Sequence, residues 1–250
     1  MAPVDSFFVV RTMQALEVIA FQPSSAPQIA EALRVDARTA RRLLNRLTAE
    51  GWLVRTEGRV KTYTLSLRLV ALASHFLERA PLTKVATAVA RALHERTGGV
   101  AHVVVPSYRS VLCLVRCAAD SVSRPHAREL IQAHASAGGK VLLAHRPPWR
   151  ESVLELPLDA LTEHTIVDAD ALRAECDAVF ERGYAIEDGE YRDDVRSVAA
   201  PVPDAAGDVM AALGLSGPRD LDVDARLEAV LEAARTLSRR FAEEPLARAA

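Results

Sequence analysis

This 250-residue sequence predicts an α+β fold: an N-terminal winged helix-turn-helix, a linker helix, and a larger α/β domain built on an antiparallel sheet. Three observations predict it. Two short helical patterns, at 26–33 and from Asp36 to Glu50, are separated only by Arg34–Val35. Two β-prone runs around a Gly turn follow them, as a wing would. Far down the chain, the strand patterns 197–203 and 209–216 are joined by Asp204-Ala205-Ala206-Gly207, a hairpin signal that favours antiparallel pairing.

Phe7–Phe21 carries Phe8, Val9, Met13, Leu16, Ile19 and Ala20 in helical register, a first helix that roofs the small domain. Pro23-Ser24-Ser25 breaks it, and Ser25 suits the N-cap of a helix with Pro27 in its first turn. Asp36 caps the second helix of the pair, on which Ala40, Leu43, Leu44 and Leu47 recur at i, i+3, i+4, i+7. Gly51 suits its C′ position. Trp52–Arg55 and Val60–Leu65, either side of Glu57-Gly58-Arg59, form the wing. In Ser66–Arg79 the apolar face from Leu69 to Leu77 is broader than the small domain alone needs, so a partner subunit is expected against it. Ala80-Pro81 ends that helix and divides the chain into a helix-turn-helix domain at 1–65, a linker helix at 66–80 and a second domain at 81–250.

The second domain opens with a helix at 82–97, followed by strands at 100–105 and 111–117 and a third near 129–133. Short helices are expected at 136–145 and 149–156, and Asp168 or Asp170 begins a longer one that Gly183 closes. Strands at 184–188, 197–203 and 209–216 and a helix at 225–241 complete it. Cys113, Cys117 and Cys176 form no even disulfide framework and favour a reducing compartment. Cys113 and Cys117 are expected on one face of a strand, as small core residues.

Hydrophobic content of 50% with 26% charged residues suits a globular chain rather than a disordered one. The longest apolar runs, such as Val100–Pro106, fall far short of a membrane span, and the start lacks a signal-peptide pattern, so a cytoplasmic protein is expected. The net charge of −2 hides an asymmetry. Residues 1–80 hold 11 basic and 7 acidic side chains, and residues 34–68 hold 9 and 3. A local basic patch is what displaces counterions from phosphates. Arg38, Thr39, Arg41, Arg42, Asn45 and Arg46 occupy the non-apolar side of the second helix, which can sit in a DNA major groove. Arg38, Thr39 and Arg42, near the helix start or on its outer row, are expected at base edges. Arg41 and Arg46 are expected at phosphate or paired with a carboxylate such as Glu50. Arg59 and Lys61 at the wing tip suit phosphate or minor-groove contact.

Enzyme chemistry on a small organic acid is the alternative, with His134, Cys176 or Glu187 as acid, base or nucleophile. No Ser/His/Asp or Cys/His motif, metal-ligand cluster or phosphate loop supports it, and no cofactor is expected. Ser136-Ala137-Gly138-Gly139 opens a helix whose first amides lack intrahelical partners, which makes either an anion site or a close helix–sheet contact. His134 just before it could guard a pocket mouth or serve as a structural hydrogen bonder.

The helix-turn-helix, followed by HASAGGKVLLA at 134–144, RGYAIEDGE at 182–190, VRSVAAPVPDAAG at 195–207 and ALGLSGP at 212–218, resembles the IclR family of bacterial transcriptional regulators. The likeness runs from about residue 7 to about residue 242. It implies a GAF-like effector-binding domain after the linker helix. It also implies a homodimer or dimer of dimers joined mainly through the DNA-binding half, double-stranded operator DNA as partner, and a small organic or aromatic acid as effector. By motif, the carboxylate-binding amides fall on Ala137 and Gly138, the acidic or polar pocket residue on Glu187, a usual cysteine on Ser197, and two residues of the last strand, often serines, on Gly214 and Ser216. Glu187 would repel a carboxylate unless it is protonated or binds a hydroxyl or amine at the far end, so a bifunctional ligand is expected. A ligand that prefers the DNA-bound or the free state serves a repressor or an activator equally.

Overall fold

The computed structural model describes residues 6–56, 58, 60–79, 81–119, 121–123 and 130–243. The chain divides into two compact units, Met1–Arg79 and Ala80–Ala250.

In the first unit, α1 (Ser6–Phe21) leads through the short β1 (Ser24–Ser25) into α2 (Ala26–Ala32) and α3 (Ala37–Ala49). A hairpin of β2 (Leu53–Thr56) and β3 (Thr62–Leu65) follows, then α4 (Leu67–Arg79). The three strands pair antiparallel in the order β1-β3-β2. Asp36 caps α3, its carboxylate accepting from the Arg38 and Thr39 amides. Ala40, Leu43, Leu44 and Leu47 are all buried in a core with Ile19, Ile29 and Leu53. At roughly 1.5–3 kcal/mol per buried leucine, that stripe fixes which side of α3 faces out.

Two expectations need correction here. Among the described side chains of α1 the buried ones are Ala15 and Ile19, while Val9 and Met13 are about half exposed and Ala20 faces outward; the Phe8 side chain lies outside the described residues. The helical period holds, but the packed face is centred on Ala15 and Ile19, with Leu16 and Val18 at its margins. In the wing, the second strand begins at Thr62, so Val60 and Lys61 belong to the loop. Arg59 lies outside the described residues.

In the second unit, α5 (Pro81–Thr97) precedes β4 (Val100–Ser107), β5 (Ser110–Ala118), β6 (Ser121–Ser123) and β7 (Leu130–Gln132). A 3-10 turn at Ala133–Ala135 enters α6 (Ala137–His145), and α7 (Pro147–Leu154) and α8 (Ala169–Arg182) follow. The chain then returns to the sheet as β8 (Ala185–Asp188), β9 (Val195–Pro203) and β10 (Val209–Pro218), and closes on α9 (Asp224–Glu243). The strands run in the order β6-β5-β4-β10-β9-β8, with β7 also on β5, and every pairing is antiparallel. One face packs on α5 and α9 through residues such as Val103, Leu213 and Leu237. The other packs on α6, α7 and α8 through Val104, Leu142, Val153 and Cys176.

A bulge in β5 overturns the expected placement of the cysteines. Val103 pairs with Val115 and Val104 with Cys113, so Leu114 is the extra residue. The alternation resets across it. Cys113 therefore packs with α6 and α8, and Cys117 with α5 and α9. The same reset turns Arg116 onto the α6 side.

Candidate functional site

On α3, Arg38, Arg42 and Asn45 form the outward row opposite the buried stripe, with Arg41 and Arg46 flanking it. All five are exposed. None of the four arginines makes an ion pair or a side-chain hydrogen bond among the described residues, so neither Arg41 nor Arg46 is paired with Glu50. Thr39 differs from expectation: its hydroxyl donates to Asp36 at 2.7 Å, so it locks the helix start. The Asn45 amide oxygen lies 3.5 Å from the Tyr63 hydroxyl of the wing. Arg68, part of the basic stretch in sequence, donates to the Glu50 carbonyl at 2.7 Å and stacks on Trp52. It stabilises the carbonyl end of α3, where a cation is favoured. Lys61 is exposed at the wing.

A cavity of about 240 Å³ opens in the second unit between the sheet and the start of α6. The sheet register builds its floor. Glu187, Ser197 and Ser216 sit side by side on β8, β9 and β10, ending at Val100 on β4. The next row runs Ala199, Gly214, His102, Arg116. Ser136, Ala137 and Gly138 close one side, and Val104, Val111 and Cys113 supply apolar wall. Ser136 caps α6 by accepting from the Gly139 amide at 3.1 Å. Gly138 lacks a side chain because a Cβ would come within 2.6 Å of Val104 Cγ2. The α6 amides thus face the cavity at short range, carrying the partial positive charge of a helix start.

Glu187 is buried and its carboxylate is already satisfied. Oε1 accepts from the Glu190 and Tyr191 amides at 2.8 and 3.2 Å, and Oε2 from the Ser197 hydroxyl at 2.9 Å. Burial pushes this carboxyl above its ordinary range, and those donors pull it back. It lines the cavity with three donors already on its oxygens, so less of it is open to a ligand than the sequence alone suggests. His134 also departs from expectation: it does not line the cavity, and its Nε2 lies 3.0 Å from the Asp159 carbonyl. It is the structural hydrogen bonder of the two alternatives. Gly214 lies under His102 rather than on the cavity wall.

Sequence reasoning missed His102, Arg116 and Lys140. His102 interrupts an apolar strand with a polar group every other position would bury, which was a usable signal. Arg116 was hidden by the bulge. Burial, opposed by the contact with the Val100 carbonyl, pushes the His102 imidazole down to about 4. Lys140, fully buried on α6, bonds Glu190 at 2.6 Å and lies 3.5 Å from Glu175. Since Glu190 also donates its amide to Glu187, that pair ties α6 to the turn holding the acidic side of the cavity. Among the described residues no group of His, Cys, Asp or Glu is placed to hold a metal ion.

A winged helix and an antiparallel α/β domain with such a cavity, carried on one chain, define a class of ligand-responsive regulators. The model of the bacterial transcriptional regulator IclR C-terminal domain matches residues 74–242. The HTH-type transcriptional regulator BhcR of Paracoccus denitrificans is 31% identical over 239 residues, covering 91% of this chain and 85% of that one. An IclR homologue of Microbacterium hydrocarbonoxydans, solved in complex with 4-hydroxybenzoate, superposes with a TM-score of 0.63 at 27% identity, covering 95% of this chain and all of the other. The fold is also that of Thermotoga maritima IclR, with a TM-score of 0.60 at 21% identity, covering 94% and 98% of the two chains. The chain belongs to the IclR family of bacterial transcriptional regulators. No helix of the described residues is long and apolar enough to cross a membrane.

Proposed function

We propose that this regulator acts in the cytoplasm as a homodimer or dimer of dimers, places α3 in successive major grooves of a near-palindromic operator, and responds to a small organic acid held in the cavity at the α6 start. What carries the reading is the outward row of arginines on α3 with no carboxylate partner among the described residues. An unpaired guanidinium is free to bond guanine O6 and N7. Arg38 and Arg42 read bases, while Thr39 holds the helix start and adds at most its methyl and oxygen. Arg41, Asn45 and Arg46, with Arg59 and Lys61 of the wing, meet the backbone. The effector carboxylate lies on the Ala137 and Gly138 amides, with Glu187, Ser197 and Ser216 lining the cavity away from it, Gly214 leaving room for the His102 ring and Arg116 drawing anions to the mouth. The family relationship and the 4-hydroxybenzoate held by the Microbacterium homologue support an acid there. His134 supports the loop behind the site.

The test is an electrophoretic shift with the chain's own upstream DNA at two salt concentrations. Arg42→Ala should weaken operator binding by about 1–3 kcal/mol, roughly five- to 150-fold, while binding to random competitor changes little. Equal weakening on both DNAs would overturn the base-reading assignment.

A further inference from the structure

We propose that His102 recognises a hydroxyl on the effector, so that the molecules sensed are acids carrying a hydroxyl at the end far from the carboxylate. The proposal rests on the effector reading above and narrows which acids fill that cavity.

The register sets the span. His102 and Val104 are successive residues on one face of β4, opposite Gly214 and Ala212 of β10. Val104 is the group against which Gly138, at the head of α6, packs. One pleat, ~6.6–6.8 Å along the strand, separates His102 from the residue that Gly138 packs on, and sets the scale of the span from the carboxylate end to the imidazole. A benzene ring or a four-carbon chain bridges such a distance between a carboxylate and a hydroxyl. The volume of about 240 Å³ lies below that of drug-sized pockets and suits a small metabolite.

The imidazole is where it is because position 214 has no side chain. A Cβ on Gly214 would lie 2.5 Å from His102 Nε2 and 2.9 Å from Cε1. The ring thus rests on bare β10 backbone. His102 Nδ1 lies 3.4 Å from the Val100 carbonyl. A carbonyl only accepts, so Nδ1 carries the proton and Nε2 presents a lone pair. No group among the described residues donates to Nε2. Burial keeps the ring neutral. An acceptor beside Val104 and Cys113 requires a donor when the cavity is filled. Glu187 already accepts from two amides and Ser197, whereas Nε2 accepts from no group among the described residues. Arg116, paired with His102 across β4 and β5, disfavours an ammonium and leaves a hydroxyl.

Calorimetric titration of the full chain with two matched pairs, 4-hydroxybenzoate against benzoate and 4-hydroxybutyrate against butyrate, tests this. The hydroxylated member of at least one pair should bind about tenfold or more tightly than its partner. His102→Phe should bring that pair within about twofold of each other with little change for the acid lacking the hydroxyl. Gly214→Ser, which evicts the ring, should do the same, and His102→Gln, with an amide oxygen as acceptor, should restore part of the preference. Equal affinities within both pairs, or a preference that survives His102→Phe and Gly214→Ser, overturn the role of His102 and leave the cavity as an acid site. No heat from any of the four acids overturns the cavity reading and this proposal together.

Discussion

His102 has a consequence for stability as well as for recognition. Its ordinary value of 6.5 falls to about 4 in the folded protein. The unfolded chain therefore binds a proton between those values that the folded protein refuses. This contribution to stability is complete above pH 6.5 and is lost as pH falls through the folded value. In urea titrations at pH 7 and pH 4.5, His102→Phe should lose less stability on acidification than the natural protein. Parallel losses would mean the ring is not held neutral by its surroundings. Glu187 shows the opposite shift and the opposite sign, its ionisation costing stability as pH rises above its ordinary value. What was visible in the sequence at this scale was residue type, and what was not was availability. Thr39 and Glu187 both read as ligand-facing, and neighbours in the fold take the Thr39 hydroxyl proton and three of the acceptor positions of Glu187.

At the scale of elements, α6 shows how a glycine pair divides its work. Gly138 faces Val104 and Ala212, and Gly139 faces the Ala133 backbone of the preceding 3-10 turn. Contact with a backbone carbonyl cannot be relieved by a rotamer change. Gly139→Ala should therefore destabilise the protein by about 1–3 kcal/mol through overpacking, read as a lower denaturant midpoint. An unchanged midpoint would show that the turn moves freely away from the helix. Both glycines pack closely, as one of the two readings from sequence has it, and Gly138 also lines the cavity while Gly139 is closed off by backbone. Helix limits and caps were legible, as Asp36, Ser136, Asp168 and Gly183 all cap where local chemistry places them. The phase of α1 and the bulge in β5 were not, because each depends on which neighbour the element packs against.

For the whole molecule, the apolar residues left uncovered in the first unit carry the next expectation. Val9, Val10 and Met13 on α1 are 46–55% exposed, and Leu67, Val70 and Leu72 on α4 are 59–83% exposed. Large apolar side chains left this exposed on two helices are candidates for burial against a partner. In the homodimer proposed above, Met13→Glu combined with Leu72→Glu should shift the full chain toward monomer in sedimentation velocity with its circular dichroism unchanged. A sedimentation profile identical to that of the natural protein would remove these two helices from the interface.

The sequence by itself determined the kinds of element, their order, the outward arginine surface of α3 and the family. Each of these follows from local periodicity, capping chemistry and motif spacing, which act within a few residues of one another. Only the tertiary structure decided which polar groups remain unpaired and what surrounds them. The antiparallel register brings Glu187, Ser197, Gly214, His102 and Arg116 from five strands to one face. Distant segments of chain meet there, and neither hydrogen-bond competition nor the space vacated by a missing Cβ exists until they do.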